Sequence, residues 1–216
     1  MAFYKQQSMK SDEIKLGVCF HEAGHWVVAR NLDFKVGEVR IKIIKDGENI
    51  GHYGSSKIFP RLNSNPTQFI EKYLKNRIAV LFAGVIAQTL TITNKDANTA
   101  EGLLRTDGSD DYKTITELLF ILRGVCHPDE AEELDDTQIL KLQKECWEHS
   151  DKIIQSMRGD IEALAHKMAN EIACINKEYI FNHNKLTGWL PNSSLNSDAP
   201  PDGGALTCYT PREIAE

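Results

Sequence analysis

The five residues His21-Glu22-Ala23-Gly24-His25 constrain this chain more than any other stretch of its sequence. They fit the pattern HExxH and lie within the largely apolar segment 16–30, which favours a buried helix. On a helix, positions i and i+4 lie about 40° apart around the axis, so both imidazoles can point at one metal ion. Glu22 is rotated by roughly 100° from His21, so its carboxylate can reach a water at the metal without binding the metal. The pattern therefore predicts a zinc hydrolase site with His21 and His25 as ligands and Glu22 as general base.

The alternative is an ordinary buried helix that carries two incidental histidines. The chain has seven histidines, so HExxH can arise by chance. However, two histidines and a glutamate are costly to bury in so apolar a segment without a partner or a metal. The metal site is the favoured interpretation.

Composition is typical of a globular protein with a single domain. The chain has 216 residues, of which 41% are hydrophobic and 26% charged. Its net charge of −6, without a dense Lys/Arg patch, argues against a nucleic-acid partner. No run approaches the roughly 18 apolar residues that cross a bilayer, and residues 1–7 have no apolar signal core. We therefore expect no membrane association.

The cysteines predict a reducing compartment. They are odd in number, scattered and without CxxC spacing, so we expect reduced thiols and a cytoplasmic protein. The five are Cys19, Cys126, Cys146, Cys174 and Cys208.

The periodicity of apolar residues predicts a mainly α-helical fold with a short β-ribbon. Ser11-Asp12-Glu13 is a good helix start, and the first helix is expected over residues 11–32. Alternating side chains over residues 36–44 predict a half-exposed strand. Asp46-Gly47 then turns the chain into a returning strand at residues 50–54.

Further helices are predicted along the rest of the chain. Asn65-Pro66 is a helix start, Gly124 to Pro128 is a helix end, and Arg158-Gly159 is a break between two helices. The predicted helices cover residues 65–90, 98–104, 110–122 and 129–172. We expect one domain over residues 11–190, an N-terminal extension over residues 1–10 and a disordered tail over residues 191–216.

The third ligand is expected far from the HExxH segment. A catalytic zinc normally has three protein ligands and one open position. The metzincin continuation is excluded, because Val28 and Asn31 stand where that class has Gly and His. An acidic cluster at residues 106–112 stands out, although capping of the following helix by Ser109 or Asp110 is an alternative explanation for it. The open candidates are Asp107, Asp110, Asp111, Glu71, Glu101, Glu117, His127 and His149.

The segment around HExxH resembles the zinc helix of the FtsH-type ATP-dependent metalloproteases. Residues 39–51 are similar to the strand pair that follows in that family, and residues 77–84 to its Arg-Ile helix. Gly108-Ser109-Asp110-Asp111-Tyr112 resembles a segment whose aspartate is the family's third zinc ligand. The resemblance covers about residues 14–175.

This resemblance implies a zincin-like HExxH metallopeptidase domain of the FtsH peptidase type. It assigns the third Zn²⁺ ligand to Asp111, beside His21 and His25. The family's Gly-Arg-x-x-Glu is replaced here by Gly84-Val85-Ile86-Ala87-Gln88, so an arginine and an acid are missing. Gln88 can still hydrogen-bond a ligating histidine, and Asp110 is a second candidate for such support.

We therefore expect a zinc-dependent endopeptidase that acts without ATP on flexible or unfolded polypeptide. No counterpart of the family's ATPase module or membrane helices occurs in the sequence. The strand containing Val39, Ile41 and Ile43 is expected to be the sheet edge that pairs with substrate. Two alternatives stay open: a catalytically quiet relative that binds or regulates a partner, and a zinc hydrolase of another amide. The sequence predicts no oligomeric state.

Overall fold

The computed structural model describes residues 11–61, 69–92 and 99–190. The predicted N-terminal extension, the predicted disordered tail and the helix start at Asn65-Pro66 lie outside these residues. Within them the chain is mainly helical with a small three-stranded antiparallel sheet, which confirms the predicted class.

Helix α1 (Ser11–Asn31) is the centre of the core. Asp12 and Glu13 in its first turn and Arg30 in its last turn complement the helix dipole. Every residue from Gly17 to Ala29 is buried, as expected of a helix that is apolar on all sides. The two histidines and the glutamate of the HExxH pattern are therefore held inside the protein.

Strands β1 (Lys35–Asp46) and β2 (Asn49–Phe59) form an antiparallel hairpin. Gly47 in the two-residue connection has φ +59°, a conformation that glycine adopts without strain. A short strand β3 (Glu178–Phe181), which the sequence analysis did not predict, pairs with the other side of β1, so the strand order is β2-β1-β3.

The prediction that β1 is the free edge strand is wrong. Val39 and Ile41 pair with β3 as well as with β2, and the carbonyl of Ile43 accepts a hydrogen bond from the Asn176 backbone. The alternation was predicted correctly, because Val39, Ile41 and Ile43 are all buried. The strand beside the HExxH helix that keeps an unpaired edge in the described sheet is β2.

The described residues form six further α-helices: α2 (Ile70–Gln88), α3 (Thr99–Arg105), α4 (Ser109–Cys126), α5 (Asp135–Ser156), α6 (Arg158–Glu171) and α7 (His183–Trp189). Helix α4 continues one turn past the predicted end, because Gly124 is exposed and tolerated within it. The predicted break between α5 and α6 lies at Met157.

Helices α1, α2 and α4 position the ionisable side chains. Gly24 of α1 lies against Ala83 and Ala87 of α2, where an added Cβ would approach within 2.5 Å of the Ala83 carbonyl oxygen. The two helices therefore cross closely, and α4 also packs against α2. In the described part of the chain, no helix has the length and apolar character that a membrane crossing requires.

Candidate metal centre

Three side chains from two helices converge on one point. His21 and His25 come from successive turns of α1, and Asp111 comes from the first turn of α4. The Nε2 atoms of the two histidines are 3.0 Å apart. Asp111 Oδ2 lies 3.3 Å from His21 Nε2 and 3.1 Å from His25 Nε2. The structure thus brings together the three residues that the resemblance assigned as ligands.

This triangle has the dimensions that a tetrahedral zinc ion requires. Zinc binds imidazole nitrogen and carboxylate oxygen at about 2.0–2.1 Å, so tetrahedral ligand atoms are about 3.3 Å apart. The three sides are 3.0, 3.1 and 3.3 Å long. The donor set, two imidazoles and one carboxylate, is that of several catalytic zinc sites. The residues present therefore fit the metal.

Buried hydrogen bonds fix which nitrogen of each histidine faces the centre. His25 Nδ1 lies 2.7 Å from the Val80 carbonyl oxygen, which can only accept, so Nδ1 carries the proton. His21 Nδ1 lies 3.0 Å from Gln88 Oε1. Gln88 Nε2 donates to Asp107 Oδ2 at 2.5 Å, which orients the amide so that its oxygen faces His21. Both Nε2 atoms are therefore free to present lone pairs toward Asp111.

Three acceptors that face one another require a cation or a proton between them. The protonation of the metal-free site reflects this. Burial, the largest single influence, would lower the pKa of His25, but the charge and hydrogen bond of Asp111 outweigh it and raise the pKa to about 9. Burial likewise opposes ionisation of Asp111, yet His25 and His21 hold its pKa well below the ordinary value. The metal-free centre thus retains a proton where a metal ion fits.

Gly84 of α2 makes room for this centre. A Cβ at that position would collide with the Nε2 atoms of His21 and His25. A larger residue there would displace both imidazoles from Asp111. Helix α2 therefore contributes a gap as well as the carbonyl of Val80 and the amide of Gln88.

Glu22 is buried beside the centre and contacts strand β2. The residue is only 4% exposed to solvent. Ser56 Oγ lies 2.7 Å from Glu22 Oε2 and 2.8 Å from its backbone oxygen. A Cβ at Gly54 would collide with Glu22 Oε1, so the strand approaches the carboxylate closely. Strand and helix together hold this carboxylate in one position.

The site opens into a cavity of about 340 Å³. Its lining includes His21, Glu22, His25 and Asp111, together with part of β2, from Gly54 to the serines that follow it. Arg77 of α2 lines the same cavity. The histidines and the glutamate, although almost fully buried, therefore form part of the lining of this cavity.

Two sequence predictions for this region need correction. Asp110 does not support a ligand: its side chain is 94% exposed and its carboxylate pairs with Lys113. Capping does not explain the acidic cluster either, because α4 begins after Gly108 without a side-chain cap. Gln88 forms the predicted hydrogen bond with His21, and Asp107, named in the sequence analysis as a candidate ligand, accepts a hydrogen bond from Gln88.

The remaining candidate ligands from the sequence lie outside the centre. None of Glu71, Glu101, Glu117, His127 and His149 belongs to the cluster of ligand atoms found among the described residues. Sequence reasoning missed Ser56 and Arg77 as site residues. The position of Ser56 depends on the register of the hairpin, which the sequence pattern does not give. Arg77 could have been identified, because it begins the segment 77–84 that resembles the family's Arg-Ile helix.

No protein-family model matches the sequence, and a search of curated proteins finds no match.

Proposed function

We propose that the chain is a zinc-dependent, ATP-independent endopeptidase with a zincin-like, FtsH-type peptidase domain, which acts on flexible or unfolded polypeptide in the cytoplasm. The observation that carries this proposal is the convergence of two imidazoles and one carboxylate next to a buried glutamate in an open cavity. The resemblance of the HExxH and Gly-Ser-x-Asp segments to that family adds support. The cysteines among the described residues are unpaired, which agrees with a reducing compartment.

His21, His25 and Asp111 would hold the zinc ion, and their partners would keep them in place. When bound, zinc lowers the pKa of a water and polarises the carbonyl of the substrate. Gln88 and Val80 hold the imidazoles so that only their Nε2 atoms face the ion. Because both partners are buried acceptors, neither histidine can rotate without losing a hydrogen bond.

Glu22 would move the proton. Its carboxylate accepts a proton from the attacking water, whose oxygen bonds to the carbonyl carbon. The carboxyl group then gives that proton to the amine nitrogen as the C–N bond breaks. Ser56 donates a hydrogen bond to Oε2, which leaves Oε1, the oxygen beside Gly54, to accept the proton of the water.

Strand β2 is the element best placed to hold the peptide. It is at the edge of the described sheet, and Gly54, Ser55 and Ser56 line the cavity beside Glu22. An extended peptide can add to such an edge through backbone hydrogen bonds. The proposed substrate strand therefore pairs with β2 instead of β1. A folded domain cannot offer an extended segment there, so flexible chains are the expected substrates.

The test is hydrolysis of two substrates by the zinc-loaded chain, with and without ATP. We expect cleavage of casein, an unfolded substrate, at the same rate with and without nucleotide, and little cleavage of a stably folded domain. Glu22→Gln, which keeps the shape of the side chain, should retain zinc and lose about 10²–10⁴-fold in rate.

Three outcomes would contradict the proposal. Strict dependence on ATP would show that unfolding is coupled to this chain. Equal cleavage of folded and unfolded substrates would remove the preference for flexible chains. Zinc binding without hydrolysis of any peptide would favour the alternative of a catalytically quiet relative that binds or regulates a partner. The replacement of the family's Arg and Glu by Val85 and Gln88 is consistent with that alternative.

A further inference from the structure

Arg77 contributes a positive charge to the lining of the cavity at the metal centre, and this charge has no bonded partner among the described residues. It is half-buried on α2, and its guanidinium has no hydrogen bond or ion pair to any residue in the described ranges 11–61, 69–92 and 99–190. Burial lowers its pKa, and the negative charge of Asp111 works in the opposite direction. The group stays charged, because an arginine side chain keeps its proton in proteins.

The carboxylates around Arg77 are all engaged elsewhere. Asp111 faces the two imidazoles, Asp107 accepts from Gln88, and Asp110 pairs with Lys113. Glu22 accepts from Ser56. The donors of Arg77 therefore have no carboxylate partner among the described residues, although the group carries a full charge.

A half-buried guanidinium without a partner is costly, and the cost is recovered when an anion binds. Its planar fork of N–H donors matches a carboxylate with two parallel hydrogen bonds, which a neutral amide oxygen cannot accept in the same way. The cavity is large enough for a side chain or a chain end next to the scissile bond, at about 340 Å³.

We propose that Arg77 binds a carboxylate of the peptide substrate, so that the site prefers peptides with an acidic group close to the cleaved bond. This inference rests on the proposed peptidase function. The carboxylate is either an acidic side chain or the C-terminal group of the peptide, since both present the same two oxygens. Zinc and β2 would bind the backbone of any peptide, and Arg77 would add a preference for peptides that carry the carboxylate.

The experiment measures peptide binding to zinc-loaded Glu22→Gln protein, which does not cleave its ligand, by calorimetry. The probes are eight-residue Ala/Gly/Leu peptides that carry one Glu or one Gln, each with a free or an amidated C terminus. We expect at least one free carboxylate to strengthen binding about 10–100-fold, as a hydrogen-bonded charge does. The Glu/Gln pair and the free/amidated pair show which carboxylate is bound.

Two variants of Arg77 and one control test the assignment. Arg77→Met should abolish the preference while the neutral amidated peptide binds as before. Arg77→Lys should keep part of the preference, because it keeps the charge and loses the fork. Lys72→Met, an exposed cation on the same helix, should change nothing. Bound zinc is measured in every variant to show that the centre is intact.

Several results would overturn the inference. They are equal binding of the Glu and Gln peptides in both C-terminal forms, an unchanged preference in Arg77→Met, and no peptide binding at all. A change in zinc affinity without a change in carboxylate preference would show instead that Arg77 acts only through Asp111. Casein hydrolysis by the wild-type chain is scored separately, so failure of this inference and failure of the peptidase proposal are distinguishable.

Discussion

Two clusters of ionisable side chains lie along α2, and they balance their charges in opposite ways. In the first cluster, Lys75 lies between two acids, with Nζ 2.9 Å from Glu71 and 3.1 Å from Glu145. In the second, the acceptors of His21, His25 and Asp111 face one another without a donor between them unless a proton is retained. Both clusters border a cavity, and the two cavities are similar in size, at about 420 Å³ beside Lys75 and about 340 Å³ at the metal centre.

The two clusters share a cavity and closely spaced charges, and they differ in whether those charges are already compensated. Around Lys75, each charge already has an opposite charge in contact. Hydrogen bonding and the charge of Lys75 lower the pKa of Glu71, and the two acids raise the pKa of Lys75 although burial opposes this. Such a cluster gains little from a ligand. The metal centre is incomplete without a cation, and this makes it the candidate site.

The largest expected effect separates two neighbouring aspartates. Asp111→Ala should remove one of the three converging acceptors and reduce zinc affinity by more than the roughly 10–100-fold typical of an outer partner. Asp110→Ala should leave zinc affinity unchanged, because the Asp110 carboxylate is exposed and pairs with Lys113 instead of a histidine. The measurement is zinc content after gel filtration. Equal zinc content in the two variants would contradict the assignment of Asp111.

Metal uptake should depend on pH because the proton and the metal compete for the same lone pairs. The folded, metal-free protein holds a proton on His25 up to a pKa of about 9. Zinc displaces it, so the apparent affinity should fall about tenfold per pH unit below 9, or about 100-fold from pH 8 to pH 6. Titration at pH 6 in weak buffer should release about one proton per zinc.

The stability of the metal-free protein should change with pH in the opposite direction. A folded pKa above the unfolded value stabilises the fold below pH 6.5, and this contribution is lost as pH rises through about 9. After treatment with a chelator, the protein should therefore lose stability between pH 6.5 and 9, while zinc stabilises it more as pH rises. Release of no protons on zinc binding would contradict this account.

The hydrogen-bonded partners of the ligands should give intermediate effects. Gln88→Leu keeps the volume of the side chain and removes the acceptor for His21 Nδ1, which is buried. We expect zinc affinity to fall about 10–100-fold. Asp107→Ala frees the amide of Gln88 to rotate but leaves it in place, so its effect should be less than about tenfold. Zinc titration with a competing chelator measures both, and a smaller effect in Gln88→Leu than in Asp107→Ala would contradict the orientation argument.

The sequence predicts the part of the metal centre that comes from α1, because those residues are close together in the sequence. His21, Glu22 and His25 are fixed by the geometry of one helix. Asp111 is 86 residues from His25, and acidic residues near helix starts have a second cause in capping. Spacing alone therefore left several candidates, and only the resemblance selected this one.

The errors about the sheet have the same physical origin. Strand β3 has four residues, too few for a reliable alternation, and it pairs with β1 across more than 100 positions of sequence. Without β3, strand β1 would pair only with β2 and would be an edge strand. The contact of Ser56 with Glu22 requires the register of the hairpin, which side-chain pattern alone does not give.

The smallest expected effect lies in the balanced cluster. Lys75→Met removes the cation between Glu71 and Glu145 and keeps most of the apolar length of the side chain. Because these groups are 30–50% exposed, the loss should be no more than about 1 kcal/mol in the free energy of unfolding. Zinc affinity and casein hydrolysis should be unchanged, since the cluster does not contact the ligands or their partners. Urea unfolding with zinc titration measures both quantities. A loss of zinc affinity comparable to that of Gln88→Leu would show that the two clusters are coupled through α2, and the distinction between a balanced and an incomplete cluster would fail for this protein.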